Sequence, residues 1–443
     1  MTAIIRRSMA PGNPLERSLF PLLAVALALT SASITDCAGR ADRHAVSITN
    51  ARVFDGQRVL PSLTTVVVEG DRIAEVSEKA APRGEVVDAH GRAIIPGLFD
   101  SHMHAGDGVR VLTQEAVFGV TTSLGMFDDP EVARRLRPES VVRSGFKSAG
   151  LGATVPGGHG TEYGGDPIPT VSGAEDADRF VANRIAEGSD FLKIIMGPPR
   201  MPMLREDVVR ALVDAAHKRG RLAMAHIDRL SEAKIAVRAG IDGLVHIFCD
   251  EVADQVFVDQ LLLQKVFVIP TLTIRQAATA GAEWQGNGKS LLEDDAVTPY
   301  LPKTDREEAA NRYVGNDSWR AVASDNVSIL FKRGVTLMAG SDAPNPGTVW
   351  GASLHQELQL LVASGLSPAA ALTAATQTPA RIFGFPDRGR IAPGMLADLV
   401  MLDCDPLADI RCTTKIAVVW RRGLRIDRVA GQAADSPEFE QRR

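Results

Sequence analysis

Hydrophobic residues along this chain change their spacing twice. From about Val46 to Ile95, and again from Ala397 to Trp420, they fall in short β-branched runs broken by tight turns. Residues 65–69 and 72–76 flank Gly70-Asp71, which predicts a two-residue hairpin. Residues 397–402 and 415–420 predict two further strands, with a turn at Arg422-Gly423. Between these flanks, apolar runs alternate with segments of helical period. Strands are predicted over 94–103, 121–126, 146–149, 191–196, 222–226, 243–248, 266–272 and 336–341. In 204–219 the apolar residues Val208, Leu212 and Ala216 recur at helical spacing. Strands alternating with helices are the mark of parallel βα units. Eight such units in about 250–300 residues predict an α/β fold with a (β/α)8 TIM-type barrel. The flanks predict a small β-sandwich built from both chain ends.

The expected organisation is therefore a β-sandwich over 41–94 and 384–430, a barrel over 95–383 and a disordered tail over 431–443. Two stretches interrupt the alternation. One, 154–169, is rich in glycine and holds His159. The other, 276–318, is polar and weakly patterned, as expected of a lid or substrate wall. A doubly wound open sheet is the rival architecture, but no glycine-rich phosphate loop opens the first helix.

Composition changes this picture mainly at the start of the chain. Arg6, Arg7 and Arg17 precede an apolar run over 19–29 and the small residues Thr30-Ser31-Ala32-Ser33. Residues 1–40 thus read as a signal peptide and the start of a mature chain, which predicts an exported protein, periplasmic or secreted. The run is short for a membrane span. Cys37 would offer a lipid anchor, although Asp36 is unlike the small residue that precedes a lipidated cysteine. An oxidising compartment would permit a Cys404–Cys412 disulfide. The formal net charge of -5 and the lack of basic runs argue against nucleic-acid binding. A small molecule is the expected substrate, and nothing opposes a homo-oligomer.

Candidate chemistry gathers at the carboxyl ends of the predicted strands. Strand one runs into Asp100-Ser101-His102-Met103-His104, whose period of two aligns Asp100, His102 and His104. Strand four places Lys193 among apolar residues, and a buried lysine loses its charge readily. Strands five and six carry His226 and His246, and strand eight ends in Asp342. Histidine is the commonest metal ligand, and five strands here aim metal-competent groups at one barrel mouth. His159, Tyr163 and Arg229 are the candidate substrate contacts. His44, His90 and His217 read as surface residues and His355 as structural.

The run from Gly97 to His104, with Arg390-Ile391-Ala392-Pro393-Gly394 and the Ala397-Asp398-Leu399 that follows, resembles the amidohydrolase superfamily over nearly the whole chain after residue 40. Gly157-Gly158-His159 and Pro270-Thr271-Leu272 are similar to the branch of imidazolonepropionase-like proteins and metal-dependent prolidases and dipeptidases. The resemblance implies two zinc ions, or other divalent metals, about 3.5–4 Å apart and sharing a hydroxide. It implies that Lys193 is carboxylated and bridges them, with His102, His104 and Asp342 on one side and His226 and His246 on the other. Asp342 would be the catalytic proton carrier, and Asp100 would steady a ligand histidine. The implied reaction is cleavage of a C–N amide bond in a dipeptide or N-acyl amino acid. The alternatives are a one-metal cyclic-amide hydrolase or deaminase, a lactone, carbamate or phosphotriester hydrolase, and a secreted binding protein on an inactive barrel.

Overall fold

The computed structural model describes residues 44–106, 108–163, 167–198, 200–277, 291–311 and 317–429. The expected signal peptide, Cys37 and the expected tail over 431–443 lie outside them. The first strands are β1 (Ala45–Val53), β2 (Thr64–Glu69), β3 (Arg72–Ser77), β4 (Glu85–Asp88) and β5 (Ala93–Pro96). Next come β6 (Leu98–Met103), β7 (Val120–Gly125), β8 (Gly145–Ser148), β9 (Leu192–Ile195), β10 (Ala223–His226), β11 (Gly243–Val245) and β12 (Phe267–Ile269). The last are β13 (Leu399–Leu402), β14 (Ile416–Arg421) and β15 (Leu424–Ile426).

Both ends of the chain build one sheet, in the order β15-β14-β13-β5-β1-β2-β3, with β4 also paired to β1. The β2–β3 hairpin closes as its sequence predicts, Glu69 opposite Arg72 across Gly70-Asp71. At the second turn, Arg422 and Gly423 take left-handed φ of 51° and 79°, the backbone that a two-residue hairpin between β14 and β15 requires. Val46, Ile48, Val66, Val68 and Ile73 from the front of the chain share one apolar core with Leu399, Met401, Val418 and Trp420 from the back.

The middle strands are parallel. They form the runs β6-β7-β8 and β9-β10-β11-β12. Single parallel bridges extend these runs: Ala153 pairs Ile194, Val268 pairs Leu337, and Ala343 pairs Met103. Helices cover them, among them Glu206–His217, whose Val208, Val209, Leu212, Val213 and Ala216 are buried and whose first turn is acidic, as the helix dipole favours.

Three expectations need correction. The predicted strand over 94–103 is two strands. At Gly97 the backbone changes partner, its N–H donating to the Asp398 carbonyl while the Leu98 N–H donates to Gly119. Only glycine allows this, because a Cβ there would lie 2.2 Å from the Thr121 hydroxyl oxygen. The predicted strand over 336–341 is held by single bridges instead of a regular ladder. Strand seven stops at Ile269, and Leu272 already starts the helix Leu272–Ala277. The insert over 276–318, where described, contains the helix Lys303–Ala310 and two short 3-10 turns, Leu291–Glu293 and Thr298–Tyr300. Cys404 and Cys412 form a disulfide.

The terminal sheet is tied to the middle strands by Arg421, which is fully buried. Its guanidinium grips Asp398 at 2.8 and 2.6 Å and reaches Glu139 at 2.5 Å. Removing one partner of a buried pair strands the other charge, at about 3–5 kcal/mol. Arg421→Met should therefore lower stability by about that amount in urea unfolding. The double variant Arg421→Met/Asp398→Asn should recover part of it.

Candidate metal centre

The site is assembled where β6 meets the segment after Gly340. The two must touch closely, since a Cβ on residue 340 would come within 2.9 Å of the His102 backbone nitrogen and 2.7 Å of Ile269. Asp342 N–H then donates to the His102 carbonyl at 2.7 Å, and His104 N–H to Ala343 at 2.7 Å. Asp100 locks the same junction. Its carboxylate accepts the His102 N–H and the Ser341 N–H, each at 3.0 Å, and the Ser341 hydroxyl at 2.5 Å. Asp100, expected to steady a ligand histidine, holds His102 by its backbone and also the neighbour of Asp342.

That junction places Asp342 Oδ1 3.1 Å from His102 Nε2 and 3.0 Å from His104 Nε2. The ligand atoms of these three residues lie within 4.8 Å of one another. His246 Nδ1 stands 3.7 Å from Asp342 Oδ2. The rings continue as a chain, His246 being 4.9 Å from His102 and 4.5 Å from His226 between centroids. Lys193, 3 % exposed on β9, lies close enough for its charge to act on His102, His104, His226 and His246. Around the triad of His102, His104 and Asp342 stand the other three predicted ligands, His246, His226 and Lys193.

Backbone strain helps aim them. His246, Thr271 and Asp342 all take left-handed φ, 70°, 47° and 54°, which costs on the order of 1–3 kcal/mol per non-glycine residue. Thr271 Oγ1 lies 2.7 Å from His246 Nδ1 and orients that ring. On the other side, Trp350 Nε1 donates to the His104 carbonyl at 2.9 Å.

Electrostatics makes the cluster fit a cation. Burial pushes the Lys193 amine down to about 7, against the pull of Asp342. Burial, then the Lys193 charge, brings His102 down to about 3, so its ring is neutral. Among the described residues His102 Nδ1 has no hydrogen-bond partner, and the Nε2 atoms of His102 and His226 face carboxylate oxygens, Asp342 at 3.1 Å and Asp228 at 3.5 Å. Burial raises Asp342, but the neighbouring imidazoles more than reverse this and hold it well below the ordinary carboxylate value. Burial holds the His102 and His246 imidazoles below their ordinary value, while at His104 burial is outweighed by the bond to Asp342, which raises it. Imidazole nitrogens gathered on an ionised carboxylate are what a divalent ion requires, so the donor set fits metal.

Several supporting residues carry no motif. Asp128 accepts the Ala105 N–H at 2.7 Å and the Ser148 hydroxyl at 2.6 Å, and its charge acts on His104. Asp228 lies 3.5 Å from His226 Nε2 and takes Arg275 at 2.9 Å. An acid two residues past a candidate histidine was the available signal for Asp228. Among the predicted substrate contacts, His159 faces His226 at 5.2 Å between centroids, and Tyr163 joins it through its hydroxyl at 3.0 Å. Arg229 is different. It is exposed and caps the helix Leu230–Arg238, its N–H donating to Glu232. His90 is exposed, His217 pairs Asp242 at the surface, and His355 is buried with Nε2 2.9 Å from the Phe118 carbonyl oxygen.

The Amidohydrolase family profile matches residues 119–426. Ochratoxinase from Aspergillus niger is 21% identical over 394 residues, covering 74% of this chain and 75% of that protein. Imidazolonepropionase from Streptomyces coelicolor is 27% identical over 387 residues, covering 81% and 91%. Among solved structures, a putative prolidase from Bifidobacterium longum has a TM-score of 0.70 at 22% identity, covering 90% of this chain and 98% of its own. A Xaa-Pro dipeptidase with methionine in its active site has a TM-score of 0.69 at 22% identity, covering 86% and 100%. With the profile spanning most of the chain and the metal-competent cluster in place, this protein belongs to the amidohydrolase family of metal-dependent hydrolases that act on carbon–nitrogen bonds.

Proposed function

We propose that the parallel strands close into an eight-stranded barrel over 95–383, entered at Gly97, and that this barrel hydrolyses the amide of a dipeptide or N-acyl amino acid. The sandwich over 41–94 and 384–430 would brace it. The observation that carries the reading is the geometry of Asp342, with one carboxylate oxygen 3.1 and 3.0 Å from two histidine nitrogens in a water-poor site. Two divalent ions, most suitably zinc, would supply an activated water and polarise the carbonyl.

The chain's own residues do the rest. Lys193 has the low basicity that addition of carbon dioxide needs. Carbon dioxide would add to its Nζ, the displaced proton leaving to water, and the carbamate so formed would help hold both ions, with His102, His104 and Asp342 holding one and His226 and His246 the other. Asp342 takes a proton at its carboxylate and delivers it to the departing nitrogen, which suits a poor leaving group. His159 meets the substrate from the glycine-rich loop. The apolar run before residue 30 and the Cys404–Cys412 disulfide support export to an oxidising compartment.

A panel of N-acyl amino acids, dipeptides, lactones, carbamates and phosphotriesters tests the bond assignment. Turnover should concentrate on the first two, and efficient cleavage of only the last three would overturn it. Asp342→Asn should lower kcat by about 100-fold or more while KM moves little. His159→Ala should raise KM or lower kcat on amides with metal content unchanged.

A further inference from the structure

The glycine-rich loop carries a residue that the reaction above does not use. Glu162 Oε1 lies 2.5 Å from His159 Nδ1, and its Oε2 accepts the Gly160 N–H at 2.6 Å. The second bond ties the carboxylate to the loop backbone, so it cannot swing away without breaking the turn. Thr161 closes the same turn with a hydroxyl bond to the Gly158 carbonyl at 2.7 Å. Burial raises the Glu162 carboxyl, but bonds from its own N–H, from His159 and from Gly160 more than reverse this and leave it below the ordinary glutamate value. It is therefore an anion and can only accept.

An acceptor on Nδ1 dictates the tautomer of a neutral imidazole. Nδ1 carries the hydrogen, and Nε2 is left with its lone pair. That nitrogen meets the Tyr163 hydroxyl at 3.0 Å. The His159 side chain is only 21 % exposed and its ring stacks towards His226, whereas Tyr163 is 64 % exposed with its ring edge on Phe127. One end of this hydrogen bond is thus held within the site while the other stands at its rim.

We infer that Glu162 is a positioning residue that holds His159 with Nε2 facing the mouth, and that the Tyr163 hydroxyl on Nε2 is the partner which an incoming substrate displaces. The inference rests on the amide-hydrolase reading for the role of His159, but not for its tautomer. Removal of an orienting carboxylate behind a working imidazole costs about 10-fold or more in activity.

Two readouts separate this inference from the reading beneath it. Nitrogen-15 spectra of histidine-labelled, metal-loaded protein should show His159 as the Nδ1–H tautomer, and Glu162→Ala should abolish that preference. This holds whatever bond the enzyme cleaves. On the best substrate of the panel, Glu162→Ala should lower kcat/KM about 10-fold with metal content unchanged. In a His159→Ala background the same change should cost nothing further. Tyr163→Phe should lower KM by about two- to tenfold, the equivalent of one hydrogen bond no longer broken on binding. The positioning role is overturned if Glu162→Ala leaves the tautomer unchanged or costs as much without His159 as with it. A raised KM in Tyr163→Phe would make that hydroxyl a substrate contact and overturn its displacement.

Discussion

The centre of this molecule depends on keeping one buried carboxylate ionised. Asp342 is 5 % exposed and faces three imidazoles, with Lys193 nearby. A lone charge so placed would cost several kcal/mol, and the neighbouring histidines offset that enough to hold the carboxyl well below its ordinary value. A bound dication resolves the conflict, because it needs the same set of lone pairs and supplies the missing positive charge. The surrounding structure is arranged around this need. Asp100 holds the backbone on both sides of the junction, Asn345 donates to the Asp342 carbonyl at 2.7 Å, and Gly340 permits the close approach. The strained φ at Asp342 is maintained by these bonds.

The scaffold transmits the same precision from farther away. β5 belongs to the sheet made from both chain ends, and β6, one residue later, carries His102. The switch at Gly97 therefore fixes the first histidine strand to the terminal sheet through a single peptide. Arg421 anchors that sheet again through Asp398, whose carbonyl receives the Gly97 N–H at 2.8 Å. The chain ends brace the strand that begins the site.

Much of this was legible in the sequence, and the reason is periodicity. Alternating apolar runs located nearly every strand, and His102, His104, Lys193, His226, His246 and Asp342 each sit in or directly after one. Where reading failed, local pattern and tertiary pairing disagreed. A continuous apolar run over 94–103 gives no sign that its hydrogen-bond partners change at Gly97, because that depends on Thr121 and Asp398. Asp128, Asp228 and Glu162 were missed because isolated acids look like solvated surface until the fold brings a histidine or an N–H to them. Arg229 caps the start of the helix Leu230–Arg238 and is exposed, which no pattern in the sequence around it indicates.

The bridging role of Lys193 is the central claim, and metal stoichiometry tests it most directly. Wild-type protein loaded with zinc and freed of loosely bound ions should retain two ions per chain, falling to one or fewer in Lys193→Ala. Two tightly held ions in the variant, or one in both proteins, would contradict the account.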